Sequence, residues 1–506
     1  MKHIHYIYTL FFGVSALLFF GLAYPHHLHY QEQYQLFLFD SSYMWDVIAL
    51  PGGVADLLGR FSTQFFLYAW VGATIIAILL SVIQLLTLGL ANWGRFYGLS
   101  YVPALLLWIF LLDENALLGG VWAVVLTLSA SLAIDKMADG WTRRILTAML
   151  IPLLFWIAGP VSIVFCILQI RRANHFIWNI ATMLLFVLMP LVLAHCLPVL
   201  DGSLWRGIHY YRYPTVIPTM LWMAVLALVI LLGVQGVKGV KGVKDECTCR
   251  YKSHTPNDIL LTFASFAVVA VVMAVMVWKN SNFKAEKTMK YDFMACHQQW
   301  NRILNTIDEE KPNNQIGVTV QNLALAKQGT LLNKMFEYNQ NGMLGLLPDV
   351  QRDATSPMPT AEAYYHLGLT NIAQRTVFEA QEAILDFQKS ARCFKRLAQT
   401  NLINGDYEVA RKYLMILKKT LFYSDWANET ITLLGNEKAI ANHPEYGTLR
   451  TFAIKNDFLF SDNATPEILE RLYLSNKKNK LAYQYMMASF ILTGDRESFY
   501  KYAQNK

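Results

Sequence analysis

The sequence predicts an all-α protein: a polytopic transmembrane helix bundle of about nine spans with its N-terminus inside, followed by an extracytoplasmic α-solenoid of tetratricopeptide-like type. Three observations carry this reading. Of 506 residues, 55% are hydrophobic and only 16% charged, too apolar for a soluble chain of this length. Charge is unevenly placed, since residues 1–278 hold only 15 of the 43 basic and 12 of the 36 acidic side chains. Beyond residue 278 apolar residues recur at spacings of three and four, the helical period, with little β-type alternation. The domain boundary therefore falls at 278/279. The net charge of +7 divides almost evenly between the two parts, so neither presents a nucleic-acid surface.

Apolar stretches able to cross about 30 Å of hydrocarbon lie near 6–24, 65–90, 116–134, 176–199, 216–235 and 258–278. Residues 99–112 form a shorter one. Residues 144–170 are long but carry Gly159-Pro160 at their centre, where proline removes a donor and restricts its predecessor. They read as two short spans, 144–158 and 160–170. Basic residues in the loops agree with this count. Nine spans with the N-terminus inside put twelve of them on the cytoplasmic side, from Lys2 through Arg171 and Arg172 to Lys252, and only Arg60, Arg206 and Arg212 on the other. The first run lacks a small-residue cleavage site and reads as a retained anchor. Residues 236–257, with their G-V-K repeat, read as a flexible cytoplasmic loop whose lysines face anionic lipid.

The first external loop, 26–64, has two parts. Its second half places Val54, Leu57, Leu58, Phe61 and Phe65 at helical spacing, with Asp56 and Arg60 an i, i+4 pair. An amphipathic interfacial helix is expected there, started by Pro51-Gly52-Gly53. Its first half mixes Tyr30, Tyr34, Phe37, Phe39, Tyr43 and Trp45 with Glu32, Asp40 and Asp46. Aromatics of this kind form an interface belt; the carboxylates equally suit a cleft in which they bind a metal or act as general base on a lipid-borne substrate. His26, His27 and His29 read as interface histidines. The third external loop, DGSLWRGIHYYRYP, offers Arg206, His209, Tyr210, Tyr211 and Arg212, suited to a phosphate or sugar, or to snorkelling at the interface. No metal site is expected: of the six cysteines only Cys247 and Cys249 are close, and only His254 sits nearby. Within the spans the notable polar groups are Gln84, Gln169, Asn179 and His195, which disfavours a proton-driven transporter.

In the 279–506 half, NLINGDYEVARKYL (401–414) and FILTGDRESFYKYA (490–503) align without gaps, sharing Gly405/Gly494, Asp406/Asp495, Glu408/Glu497, Lys412/Lys501 and Tyr413/Tyr502. A poorer unit begins at AYYHLGLTNIAQRTVFEA, 363–380. A helix closed by a G-D turn and followed by a second helix resembles the tetratricopeptide repeat, in which each pair buries one face against the next.

The elements QEQYQLFLF, PGG with RFSTQFF, the run N-L-A-L-A-K-Q-G at 322–329 and RLAQTNLINGDYEVARKYLMILKKTLFY resemble an uncharacterised family of multispanning inner-membrane proteins from the Bacteroidota, over nearly the whole chain. That resemblance implies a bacterial inner-membrane location with the C-terminal domain in the periplasm, and no activity. In architecture the chain also resembles the GT-C glycosyltransferases, which carry catalytic acidic residues in the first external loop; by position these would be Asp40, Asp46 and Glu32. The paired acidic motif of that class is absent from this loop, and such a pair, Asp113-Glu114, lies in the next external loop.

Three functions are weighed. The leading expectation is a membrane-anchored helical-repeat protein that binds or organises an envelope partner. The alternative is a GT-C-like transferase using a lipid-linked sugar, with Asp40, Asp46 or Glu32 activating the acceptor and Arg206, His209, Arg212 and Arg60 holding the donor. A transporter or channel comes third, because the spans show no polar path. Membrane lipid is a partner in every case.

Overall fold

The structure, a computed structural model, describes residues 4–91, 94–138, 140–172, 176–196, 204–207, 209–240, 256–349, 356–385, 388–454 and 465–504. Among the described residues the regular structure is helical, and the only extended pairing is an isolated antiparallel bridge between Ala116 and Tyr211. The chain forms two compact units, Met1–Glu32 with Asp40–Asn282, and Gln33–Phe39 with Phe283–Lys506. Most of the loop expected to be flexible, with Cys247, Cys249 and His254, lies outside the described residues.

The first unit comprises α1 (Ile4–Leu18), α2 (Pro25–Glu32), α3 (Ser41–Ile48), α4 (Gly53–Thr63), α5 (Ala69–Gly89), α6 (Val102–Phe110), α7 (Leu118–Asp135), α8 (Trp141–Ala158), α9 (Ile163–Arg172), α10 (Phe176–Cys196), α11 (Thr219–Val240) and α12 (Pro256–Asn280). Four apolar stretches are long enough to cross a membrane, His5–Ala23, Ala69–Gly89, Leu118–Asp135 and Trp141–Ile170; counting Phe266–Asn280 with the helix after it makes five. Tyr97–Phe110, Ile177–Leu193 and Thr219–Gly233 are shorter apolar helices. This composition is consistent with a multi-pass membrane protein.

The 30-residue stretch Trp141–Ile170 is broken at Gly159, whose φ of +70° ends α8. A continuous helix would hold residues 143 and 169 roughly 39 Å apart. Instead, Arg143 Nη2 donates to Gln169 Oε1 at 3.1 Å, so the chain turns back at Gly159-Pro160. Tyr210 occupies the turn, its hydroxyl donating to the Ala158 carbonyl and accepting from the Val161 amide.

Gln84 anchors a buried network. Thr9 donates to its Oε1 at 2.8 Å, its Nε2 donates to Ser100 Oγ at 3.0 Å, and the Tyr97 and Tyr101 hydroxyls lie 3.0 Å apart beside it. Buried polar groups in lipid must find partners within the protein, and here they tie α1 and α5 to the segment before α6.

The expected amphipathic helix is α4, and Asp56 and Arg60 pair at 2.7 Å. Of the two orientations open to its apolar stripe, toward lipid or toward the helix bundle, the packing leaves Phe61 outward. Ala55, Asp56, Gly59, Ser62 and Thr63 are buried, with Gly59 against the backbone of Gly119 on α7, while Phe61 on the apolar stripe is exposed. Small residues allow the close approach, leaving the larger apolar side chains outward.

The second unit comprises α13 (Phe283–Cys296), α14 (Trp300–Glu310), α15 (Gln315–Lys327), α16 (Leu331–Lys334), α17 (Pro357–Leu367), α18 (Thr370–Glu382), α19 (Ala391–Asn404), α20 (Tyr407–Leu417), α21 (Ser424–Ile431), α22 (Glu437–Asn442), α23 (Tyr446–Phe452), α24 (Thr465–Ser475), α25 (Lys480–Thr493) and α26 (Arg496–Ala503). Three successive-helix turns, α17/α18, α19/α20 and α25/α26, share one geometry. Gly368, Gly405 and Gly494 are left-handed (φ +96°, +92°, +75°), and the next amide returns to the carbonyl five residues back: Leu369 to Tyr364 at 3.0 Å, Asp406 to Asn401 at 2.8 Å, Asp495 to Phe490 at 2.9 Å. Glycine adopts that φ without steric cost, and the turn satisfies carbonyls left open at the helix end. Residues 33–39 complete this unit: the Leu36 amide donates to Lys389 O at 3.0 Å and the Phe39 amide to Lys419 O at 2.7 Å.

Candidate functional site

In the first unit the candidate side chains lie in several separate places. Asp40 caps α3, its Oδ1 accepting from the Ser42 amide and hydroxyl, and Asp46 is exposed on that helix. Glu32 is buried at the end of α2. Arg206 is exposed and donates to the Thr215 carbonyl at 3.4 Å. Arg212 is buried, donates to the Tyr30 hydroxyl at 3.5 Å and lies over the Tyr213 ring. Its neighbour Tyr211 donates to Asp113 of the acidic pair at 2.8 Å.

Arg60 and His209 do converge, on Asp56. That carboxylate has no solvent exposure; its Oδ2 accepts from Arg60 Nε at 2.9 Å and lies 3.3 Å from His209 Nδ1. The surroundings are closely packed backbone. A Cβ on Gly119 would sit 2.6 Å from the His209 carbonyl and 3.3 Å from the Asp56 Cα. Such packing suits a structural joint between α4, α7 and the third loop better than a substrate chamber.

The second unit contains a cluster of buried charge with space beside it. Arg392 and Arg396 are one turn apart on α19, and Glu362 and His366 one turn apart on α17, so each pair lies on a common helix face. Arg392 donates to both oxygens of Asp292 on α13, at 2.6 and 2.8 Å, and to Glu362 at 3.2 Å. Arg396 donates to Glu362 at 2.6 Å and stacks 3.6 Å above the Tyr365 ring. Tyr365 in turn donates to Glu445 at 2.6 Å. Burial works to raise the Glu362 carboxyl, but the two guanidiniums outweigh it and hold it at about 2. Burial, reinforced by the Lys327 charge, keeps the His366 imidazole neutral by pushing it well below its ordinary value.

Two adjoining cavities open beside these side chains and share Gln298, His443 and Glu445. One, about 240 Å³, is walled by Arg392, Lys395, Arg396, Gln399 and Trp426; the other, about 430 Å³, by Lys327, His366 and Thr448. Gln298 joins α13 to α14 with φ +54°, a left-handed conformation that a side chain rarely adopts. Strained backbone of this kind concentrates at functional sites.

A family of unknown function (DUF6057) matches residues 2–506. The chain belongs to this family. No curated protein and no solved structure matches it. In this DUF6057 protein, then, the site is read from its own geometry.

None of the cavity residues was a candidate from sequence. Signals were present: acidic Glu362 with His366 on one helix face and Arg392 with Arg396 on another are unusual choices for buried faces of a helical domain. Nothing in the pattern marks Gln298. No group of three or more His, Cys, Asp or Glu able to hold a metal occurs among the described residues.

Proposed function

We propose that this DUF6057 protein is a bacterial inner-membrane protein whose extracytoplasmic helical-repeat domain is a binding module for an envelope partner. The reading includes nine spans with the N-terminus inside, so that the second unit lies in the periplasm, and a solenoid of tetratricopeptide-like helix pairs. The shared glycine turns of α17/α18, α19/α20 and α25/α26 support the repeat character. The carrying observation is the polar double cavity of the second unit, whose wall guanidiniums, Arg392 and Arg396, are already paired and held before any ligand arrives. Preorganised polar walls lower the cost of binding and add specificity, which is what a recognition site requires.

Two measurements test this. Cysteines placed singly in each loop and probed with a membrane-impermeant maleimide should label at the first and third loops and throughout the second unit. A photo-reactive residue at Thr448 or Lys395 should capture a discrete envelope component in living cells. Labelling of the second unit only after lysis, or no captured species from either position, overturns the proposal.

The transferase reading draws on Asp56, Arg60 and His209, where an acidic first-loop side chain meets predicted donor-binding residues. Loss of function in Asp56→Asn with normal thermal stability would favour it. Equal loss of stability would assign the trio to packing.

A further inference from the structure

We propose that the larger cavity of the second unit binds its ligand through an oxyanion, a carboxylate or a phosphate group, with the Lys327 ammonium and the His366 imidazole as donors. The inference deepens the binding-module reading and rests on it. His366 is only 5% exposed, lines the cavity, and its Nε2 has no hydrogen-bond partner among the described residues. The nearest carboxylate, Glu362, is 3.9 Å from that nitrogen and is already committed to Arg392 and Arg396. A buried imidazole nitrogen without a partner is costly, and a ligand oxygen would relieve it. Lys327 lies over the Trp300 ring with no carboxylate in ion-pair range among the described residues. His443 adds a third donor: its Nδ1 accepts from the amides of Glu445 and Tyr446, at 3.3 and 3.1 Å, which leaves the proton on Nε2. Glu445 faces the same space with opposite charge. The atom beside the oxyanion is therefore a hydrogen-bond donor, a hydroxyl or an amine.

The full-length protein in nanodiscs is titrated calorimetrically with inorganic phosphate, with lactate, and with ethanolamine as a cationic control. One of the two oxyanions should bind saturably at one site, and which one distinguishes a phosphate from a carboxylate ligand. Lys327→Gln and His366→Gln should each weaken it about tenfold or more, as expected for hydrogen bonds to a charged group, and the remote exposed Lys478→Gln should not. Lys327→Gln keeps the test valid if the His366 variant misfolds. No saturable binding of either anion, binding unchanged in Lys327→Gln, or preference for ethanolamine overturns the inference. If Thr448 still captures a partner while neither anion binds, the binding module stands and the oxyanion falls. If an anion binds and no partner is captured, the reverse holds.

Discussion

Arg392 meets Asp292 as a two-pronged pair, Nη1 to Oδ2 at 2.6 Å and Nη2 to Oδ1 at 2.8 Å, across one hundred residues of chain. The same guanidinium also reaches Gln33 at 3.2 Å and Glu362 at 3.2 Å. One side chain thus fastens α13, α17, α19 and the segment 33–39. Arg392→Ala leaves the mostly buried Asp292 carboxylate without its guanidinium and Glu362 with Arg396 alone, and should cost about 3–5 kcal/mol. Arg392→Lys keeps charge but loses the planar fork and should fall between the two. Melting curves of the full protein, followed by a probe in the second unit, check the order.

The same cluster sets an acid limit. Glu362, held at about 2 in the fold, ionises near 4.5 when unfolded, so its stabilisation is complete above pH 4.5 and is lost as pH falls toward 2. His366 is held neutral in the fold well below its ordinary 6.5, so the unfolded chain takes up a proton first and stability declines as pH drops below 6.5. Glu362→Gln should be less stable at pH 7 and show a flatter loss between pH 4.5 and 2. His366→Gln should flatten the region just below 6.5. Melting temperature against pH reads both, and an unchanged wild-type slope in either variant refutes that assignment.

Gly59 should tolerate no side chain. A Cβ there lies 2.5 Å from the Gly119 amide nitrogen, which is backbone and cannot rotate away. Gly59→Ala should destabilise the α4/α7 joint by about 1–3 kcal/mol, the usual range for overpacking. Leu57→Ala, on the half-buried side of α4, should cost less. Detergent-challenge unfolding of the two variants compares them.

The turn at Gly159-Pro160 predicts a covalent proximity. In a background without native cysteines, Arg143→Cys with Gln169→Cys should be joined by a short bismaleimide within one molecule. A pair separated by a continuous helix would not be, so absence of the crosslink restores a single long span.

Gln298 separates stability from binding. Gln298→Gly relieves a left-handed strain of about 1–2 kcal/mol against an added chain-entropy cost of about 0.5–1 kcal/mol, so it should modestly stabilise the second unit while removing a wall of both cavities. A more stable protein with weaker ligand binding is the expected pair of results.

Much of the first unit was legible in sequence, because lipid-facing helices are written as uninterrupted apolar runs and Gly159-Pro160 marks a break in one. The i, i+4 pairing of Asp56 and Arg60 was also readable. The buried face of α4 was not: apolar spacing marks the stripe of Val54, Leu57 and Phe61, whereas the contact is made by Ala55, Gly59 and Ser62, whose small size matters only once α7 is beside them. The glycine turns at 405 and 494 stood out because a left-handed residue after a helix strongly favours glycine; Gln298 takes the same conformation without that mark. The Asp292, Glu362 and Arg392 assembly depends on which helices become neighbours, information that no local window contains. The candidate residues of the first external loop were chosen by position, and Asp40 illustrates the limit, since an aspartate before a helix caps it whether or not it does chemistry.

Residues 33–39 carry a consequence for biosynthesis. They leave the ribosome more than three hundred residues before Lys389 and Lys419, the loop residues flanking α19 and α20 whose carbonyls they pair with, so the second unit cannot finish assembling until that late part of the chain returns to a strap made near its beginning. Closing so long a loop slows assembly more than it weakens the product. It also means that a fragment starting at Phe283 is a domain with a missing piece: Tyr34, Leu36 and Phe37, all buried in the intact protein, would be absent. Supplying residues 33–39 as a separate peptide would then be a way to switch that fragment from a loosened state to the native one.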